Sequence, residues 1–343
     1  MNKKENIELK DYTTFYTGGR AKYLIEVESE DVLVKAVKFA KDKDLPIFVL
    51  GGGSDILVSD DDFDGVVIRL TGQDTKWTET DGHVEVTAEA GLSWDKLVEL
   101  AVDSGLGGIE AMSGIPGTVG ASPIQNIGAY GQELKDTFLK LRAYDMEDEK
   151  FKEFTKQDCE FSYRESLFKK PENKGRFVIT EVTLRLEKSK EPEVTYKSLR
   201  DHLAAKGIAV PTLKEVRNAV LELRGRKLED PGIVGNAGSF FKNPIISSLE
   251  LQKLTEKHGN IPSFETEDGM AKLFSGWLIE EAGWKGKSLG NAKVSEKNAL
   301  VLTNPEKKAT AKEIKALSEA IIKSVEEKFG VTLEPEVQFI QWN

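Results

Sequence analysis

The stretch Ser113-Gly114-Ile115-Pro116-Gly117-Thr118-Val119-Gly120-Ala121-Ser122-Pro123-Ile124-Gln125-Asn126-Ile127-Gly128-Ala129-Tyr130-Gly131 decides how the rest of the chain is read. Five glycines and two prolines make it a poor helix and a poor regular strand. A plain connector of this length is unusual in a compact domain, and such loops are commonly functional. Its small residues leave backbone N–H groups open to close approach, and Ser122, Gln125 and Asn126 add polar side chains. That chemistry suits a pyrophosphate and the polar edge of a ring.

A second glycine loop lies upstream, Leu50-Gly51-Gly52-Gly53-Ser54-Asp55-Ile56-Leu57. It follows an apolar run, 46–50, read as a buried strand, and Ser54 adds a hydroxyl to the exposed amides. Taken alone, a tight turn after a strand explains it equally well. Ile56 occupies the third glycine position of the Rossmann fingerprint, so a dinucleotide here is bound in some other way. Two such loops in one β-rich region point to an extended dinucleotide lying between them.

Around these loops the elements alternate. A strand is expected over 22–27. Ser29 then caps a helix with Glu30 and Asp31 in its first turn and Val32, Ala36, Val37 and Ala40 on one face. A second apolar run spans 65–70. From 76 to about 186, β-rich runs such as 84–88 and 177–186 alternate with short helices. One of these, over 93–104, turns Leu97, Leu100 and Ala101 inward. The charged, proline-bearing segment 188–193 reads as a surface connection. A helix over 213–223 carries Val216, Val220 and Leu223. Thr310 and Glu313 form a capping box for a helix with Ile314, Leu317, Ile321, Val325 and Phe329 on one stripe. Gly330 stops that helix, and a short strand over 336–340 follows. The class is mixed α+β in three regions.

Composition narrows the function. The 343 residues carry 48 basic and 58 acidic side chains, a net charge of −10, with 39% hydrophobic residues. That balance argues against nucleic-acid binding, which needs a broad basic surface, so an anionic ligand must find cations gathered locally. Cys159 is the sole cysteine, which excludes an intrachain disulfide and a thiolate metal cluster; a small buried side chain is expected there. No apolar run is long enough to cross a bilayer, and the opening Met-Asn-Lys-Lys-Glu-Asn lacks the apolar core of a signal peptide. A cytoplasmic location is the expectation.

Besides the Rossmann fingerprint, two familiar patterns fail on physical grounds. Glu281–Ser288 ends in Gly286-Lys287-Ser288 like a P-loop, but Glu281 stands where the first glycine must be, in a segment (276–282) read as helix rather than strand. Gly286-Lys287-Ser288-Leu289-Gly290 matches a nucleophile elbow, yet His83, His202 and His258 all precede Ser288, so no triad base follows it. With three histidines and one cysteine, no zinc site is expected.

Four downstream clusters carry possible chemistry. In Phe161-Ser162-Tyr163-Arg164-Glu165-Ser166, aromatic neighbours can hold an arginine rigid. Leu223-Arg224-Gly225-Arg226-Lys227-Leu228 gathers three cations on an acidic protein, either as a solvated face or as the missing anion site. In Gly235-Asn236-Ala237-Gly238-Ser239-Phe240-Phe241-Lys242-Asn243-Pro244, Ser239 is either a turn serine or, near a developing carbanion, a proton donor. Leu333-Glu334-Pro335-Glu336-Val337-Gln338-Phe339-Ile340 sets two carboxylates around a proline at a strand entry.

The two glycine loops and these four clusters, in this order, resemble the UDP-N-acetylenolpyruvoylglucosamine reductase family, within the vanillyl-alcohol-oxidase-like flavoproteins. The resemblance runs from Thr14-Phe15 to Phe339. It implies a two-part FAD-binding region of the vanillyl-alcohol-oxidase/PCMH type plus a smaller α+β substrate-binding domain. The segments implied are 1–72 (first FAD-binding subdomain), 73–225 (second subdomain with the substrate loop) and 226–343 (substrate-binding domain). FAD is implied to bind noncovalently at Gly51, Gly52, Gly53, Ser54, Asp55, Ile115, Gly117, Gly120, Ser122, Gln125, Asn126 and Gly128; no histidine or cysteine in either loop offers a covalent link. By resemblance Ser239 is the proton donor, and Arg164 and Glu336 assist at the enol intermediate. Lys227, Asn243 and the cation Arg224 contact substrate, and Tyr196, in Val194-Thr195-Tyr196, closes over the nucleotide diphosphate. NADPH is the implied reductant, a UDP-sugar the substrate, and a monomer the expected form. Asp55 stands where the family pattern usually has asparagine. Glu229, in Lys227-Leu228-Glu229-Asp230-Pro231, stands where it often has proline, which bears on the turn beside Lys227. Two other readings stay open: an FAD oxidase of the same fold, and a nonenzymatic nucleotide-binding module.

Overall fold

Branched apolar residues between 20 and 70 build three strands of a four-stranded sheet, which the more polar Asn2–Glu8 completes in the order Asn2–Glu8, Arg20–Val27, Phe63–Leu70, Ile47–Val49. Phe63–Leu70 runs parallel to both Arg20–Val27 and Ile47–Val49. The computed structural model describes residues 1–188, 191–266 and 269–341. Helix Glu30–Lys41 begins where the sequence places it, with the Ser29 hydroxyl accepting from the Val32 N–H. Its apolar face is centred differently: Leu33, Ala36, Val37 and Ala40 are buried, while Val32 is half-buried at the margin of the same core. The strand expected to be buried over 46–50 is Ile47–Val49 and only half-buried, because it stands at the end of the sheet order among the described residues.

Contacts divide the chain into two units. The first comprises Met1–Ile7, Ala21–Gly53 and Phe63–Gly225. Besides this four-stranded sheet it holds an antiparallel one, ordered Lys150–Thr155, Phe138–Asp145, Phe177–Lys188, His83–Glu89, Thr75–Thr80. Helix Trp94–Asp103 buries Trp94, Leu97, Val98, Ala101 and Val102; Leu100, expected inward, is half-buried at the edge of that stripe. Two helices, Lys197–Ala205 and Leu213–Lys227, join through Leu199, Leu203, Val216, Ala219, Val220 and Leu223. The second extends beyond residue 223, so Arg224, Arg226 and Lys227 ride its last turn, where cations suit the helix's negative end. The surface connection expected over 188–193 includes 189–190, outside the described residues.

The second unit comprises Glu8–Arg20, Ser54–Asp62 and Arg226–Asn343. Its main sheet runs Gly235–Ser239, Val301–Asn304, Ala292–Val294, Ser288–Leu289. Helix Ala311–Phe329 covers it with Ile314, Leu317, Ile321, Val325 and Phe329 all buried. The Thr310–Glu313 capping box is formed, and Gly330 closes the helix at φ 68°. The terminal strand is Gln338–Ile340, shorter than 336–340, and pairs in parallel with Ile56–Val58. Ser288 sits exposed on a two-residue strand after the helix Ser275–Glu281 has ended, so no nucleophile elbow forms. Among the described residues no helix is long and apolar enough to cross a membrane.

Candidate functional site

In the first unit the two glycine loops adjoin. A β-carbon built on Gly52 would lie 2.7 Å from the Cα of Gly117, and one on Gly51 would lie 3.1 Å from the Thr118 hydroxyl. Any side chain at Gly52 would therefore push the loops apart. Gly117 itself has φ +113° and open space beside it. The longer loop is pinned from behind. Trp94 N–H donates to Gly117 O (3.1 Å), Val119 N–H to Leu92 O (2.8 Å) and Gly120 N–H to Ala90 O (3.0 Å). Ile115 packs against the same core.

Its polar side chains divide by task. Ser122 is buried and donates to Val119 O (2.7 Å). Asn126 is fully buried at φ 45°: its amide donates to Glu133 Oε2 (3.2 Å) and Ser162 O (3.0 Å), and its oxygen accepts from Lys135 N–H (2.9 Å). These two hold the loop's shape. Gln125 differs, for its side-chain oxygen is buried with no partner among the described residues. A buried acceptor without a donor is costly, and a ligand N–H at that point would relieve it.

Arginines mark both ends of this loop. Arg164, at φ 58°, donates to Gly128 O (2.9 Å) and lies 5.2 Å over the Tyr163 ring, while its own carbonyl accepts from Lys169 Nζ (3.0 Å). At the other end a β-carbon on Gly114 would lie 3.2 Å from Arg224 Nε. Burial lowers the pKa of the Arg224 guanidinium against the pull of Tyr130 and Asp95. Asp95 is already engaged, accepting from Arg217 (2.6 and 3.0 Å) and from Gly114 N–H (2.6 Å). Its carboxyl is raised by burial but lowered further by those donors, and ends below its ordinary value. Tyr130, to which sequence reasoning gave no role, stands edge-on to Tyr196 at 5.5 Å. Its left-handed backbone, φ 48°, is invisible in composition. Tyr196 caps helix Lys197–Ala205 and is 36% exposed.

The first loop continues into the second unit, where Ser54 is half-buried and Asp55 has φ 60° with its carbonyl accepting from Gln338 N–H (3.0 Å). Asparagine and aspartate both tolerate that conformation, which is why the departure at 55 is accommodated.

In this unit Ser239 ends the strand Gly235–Ser239 and is half-buried. Phe240 and Phe241 are fully buried, packed on each other (5.1 Å) and with Phe240 on Phe15 (6.1 Å) and Phe339 (6.2 Å). The rings face the unit's core, so they dry and stiffen the strand behind Ser239. Glu336 lies on the neighbouring segment, its N–H donating to Phe240 O (2.8 Å), and Glu334 takes Lys242 in an ion pair (2.6 Å). Asn243 is fixed by its Oδ1 accepting from Ser275 N–H (3.0 Å). Lys227 is exposed. The turn after it is formed despite Glu229: Ile233 and Val234 N–H both donate to Asp230 O (2.9 Å), and Glu229 Oε1 accepts from Ser295 Oγ (2.7 Å). Cys159 is buried in the first unit's core, which pushes its thiol up to about 12. Among the described residues no group of three or more metal-binding side chains gathers.

Two family models match this chain. The FAD binding domain covers residues 21–155, and the UDP-N-acetylenolpyruvoylglucosamine reductase C-terminal domain covers residues 226–340. The UDP-N-acetylenolpyruvoylglucosamine reductase of Pseudomonas aeruginosa is 41% identical over 334 residues, covering 97% of each chain. That of Flavobacterium johnsoniae is 42% identical over 343 residues, covering 99% of this chain and 100% of the relative. Among solved structures, the UDP-N-acetylenolpyruvylglucosamine reductase of Thermus caldophilus superposes with a TM-score of 0.68 at 26% identity, over 99% of this chain and 98% of that one. The fold, the order of the site segments and these full-length likenesses agree: the chain belongs to the UDP-N-acetylenolpyruvoylglucosamine reductase family.

Proposed function

We propose that this chain uses FAD and NADPH to reduce UDP-N-acetylglucosamine enolpyruvate to UDP-N-acetylmuramate, a step of peptidoglycan precursor synthesis. The observation that carries this reading is the pair of glycine loops pressed backbone to backbone, with Arg164 bonded to the longer one. The residues fit a flavin dinucleotide: Gly51, Gly52, Gly120 and Gly128 allow close backbone approach, Gly53, Asp55 and Gly117 take the left-handed or open backbone of the turns, Ser54 and Ile115 line them, Ser122 and Asn126 fix the longer turn, and Gln125 offers an acceptor without a partner among the described residues. When bound, FAD supplies hydride transfer from NADPH to the methylene carbon of the enolpyruvyl group.

The chain's own side chains manage the charge and the proton. Hydride addition at the methylene leaves a carbanion, delocalised as an enolate, at the carbon bearing the carboxylate. Arg164 stabilises that negative charge with Glu336 assisting, and the Ser239 hydroxyl delivers the proton that completes the saturated product. Arg224, Lys227 and Asn243 hold the nucleotide end, and Tyr196 closes over its diphosphate. NADPH and substrate use one site in turn. Within residues 1–72 and 73–225 the chain supplies the two FAD-binding subdomains, and 226–343 supplies the substrate domain, in whose compact unit Glu8–Arg20 and Ser54–Asp62 are also counted, in a cytoplasmic monomer.

An absorbance spectrum of the purified chain tests the first step, and anaerobic addition of NADPH and then of the enolpyruvyl sugar tests the rest. Flavin bands that bleach with NADPH and return with the sugar are expected. A colourless protein that takes up no flavin points to a nucleotide-binding module, and return of the bands in air without response to the sugar points to an oxidase. In Ser239→Ala, bleaching should survive while reoxidation by the sugar slows about 100-fold or more. Equal loss of both steps would make Ser239 structural.

A further inference from the structure

The strand that carries Ser239 is not regular. Asn236 stands opposite Thr303 and Ser239 opposite Val301, so three steps on one strand match two on the other. One extra residue is therefore bulged out, at Ala237–Gly238, where Gly238 takes φ +76°. In an unbroken ladder from Asn236, Ser239 would fall opposite Leu300 and project from the other face of the sheet. The bulge resets the alternation and turns the serine to the face shared by Asn236 and Thr303.

A bulge leaves backbone groups without ladder partners, and here one side chain supplies them. Asn236 is 3% exposed. Its Oδ1 accepts from Gly238 N–H (3.0 Å), the amide next to Ser239. Its Nδ2 donates to Val234 O (2.8 Å) and Glu229 O (3.2 Å), carbonyls in the turn that follows Lys227. That turn is otherwise held by Tyr16 Oη (3.3 Å) and Lys307 Nζ (2.9 Å), both donating to Gly232 O, and by Ser295 Oγ on Glu229. A carboxamide is what the position requires, since two of its neighbours need a donor and the third needs an acceptor.

We infer that Asn236 is a positioning residue: its buried amide sets the bulge that aims the Ser239 hydroxyl, and ties the turn beside Lys227 to the same strand. The inference rests on the reading of Ser239 as proton donor. Loss of the amide orphans the Gly238 N–H and both carbonyls, lets the strand relax toward regular pairing, and loosens the Lys227 turn. Gly238→Ala separates the two roles. A β-carbon there meets nothing within 4 Å, so it opposes only the left-handed backbone of the bulge and leaves the bonds to Val234 and Glu229 in place.

The test uses flavin-loaded enzyme and measures the two half-reactions separately. For Asn236→Ala, reoxidation by the enolpyruvyl sugar should slow about 10- to 100-fold, the KM for the sugar should rise, and flavin reduction at saturating NADPH should hold within about 2-fold. Gly238→Ala should slow reoxidation in the same way with the sugar KM unchanged. In both, the solvent deuterium isotope effect on reoxidation should grow as proton delivery becomes more limiting. In the flavin-free chain, the Gly238 and Ser239 amides should exchange about 10-fold faster in Asn236→Ala while helix Ala311–Phe329 keeps its protection. Should Asn236→Ala not fold, Gly238→Ala decides the matter alone. Equal loss of both half-reactions, or unchanged reoxidation in Gly238→Ala alongside a slow Ser239→Ala, overturns the inference. Unchanged reoxidation in Ser239→Ala itself removes the donor reading, and the inference falls with it for that separate reason.

Discussion

The backbone of Gly52 rests directly on that of Gly117, so closely that a β-carbon on the first would sit 2.7 Å from the Cα of the second. The obstacle is main chain, which cannot swing aside as a side chain can. Gly52→Ala should therefore separate the loops at a cost of about 1–3 kcal/mol and weaken FAD binding about 10-fold or more. Flavin content after purification and thermal unfolding with and without added FAD measure both effects.

Asp55 occupies a left-handed backbone position, φ 60°, that asparagine shares without strain. Asp55→Asn should change stability by less than about 0.5 kcal/mol, and Asp55→Val should lose about 1–2 kcal/mol through the backbone alone. Denaturant unfolding distinguishes them. A fall in FAD affinity in Asp55→Asn would assign the carboxylate itself a binding role.

Arg224 is half-buried and partly desolvated, and among the described residues no carboxylate forms an ion pair with it. An incoming anion is its natural counter-charge. Arg224→Ala should raise the KM for the UDP-sugar about 10- to 100-fold, the loss of one charge-assisted contact, and leave flavin content unchanged. Arg224→Lys should recover only part, because an ammonium lacks the guanidinium fork. Steady-state kinetics on flavin-loaded protein provide the measurement.

Asp145 is wholly buried, and burial alone would raise its carboxyl pKa. Arg176 (2.7 and 3.0 Å), Lys152 (2.6 Å) and the N–H groups of Asp148 and Glu147 hold it instead far below the usual carboxylate range. Because the folded value lies below the unfolded one, the stabilisation is fully present above about pH 4 and drains away as pH falls through the folded value. Asp145→Asn should cost about 3 kcal/mol at neutral pH, with the gap to the natural chain narrowing at pH 3. Urea unfolding at the two pH values is the check.

The glycine loops, the helix at Ser29 and the helix Ala311–Phe329 were all legible, because caps, glycines and a 3.6-residue stripe are local signals. Helix Ser248–His258 was missed although Ser247 and Glu250 spell its capping box, for none of its residues is buried and no stripe drew attention to it. Helix Lys197–Ala205 had less to show: Tyr196 caps it without a side-chain bond, and only Leu199 and Leu203 mark its inner face.

By itself the sequence determined where the chain may turn tightly, where its helices begin and where its cations gather, since glycine content, capping pairs and clustered charges are written in consecutive letters. Tertiary structure alone decided that Gly52 meets Gly117, that Asn126 faces inward to Glu133 and Ser162, and that Asn236 bends the strand under Ser239. Those relations join residues through packing and register, and a hydrogen-bond partner chosen by the fold leaves no mark in the letters on either side of it.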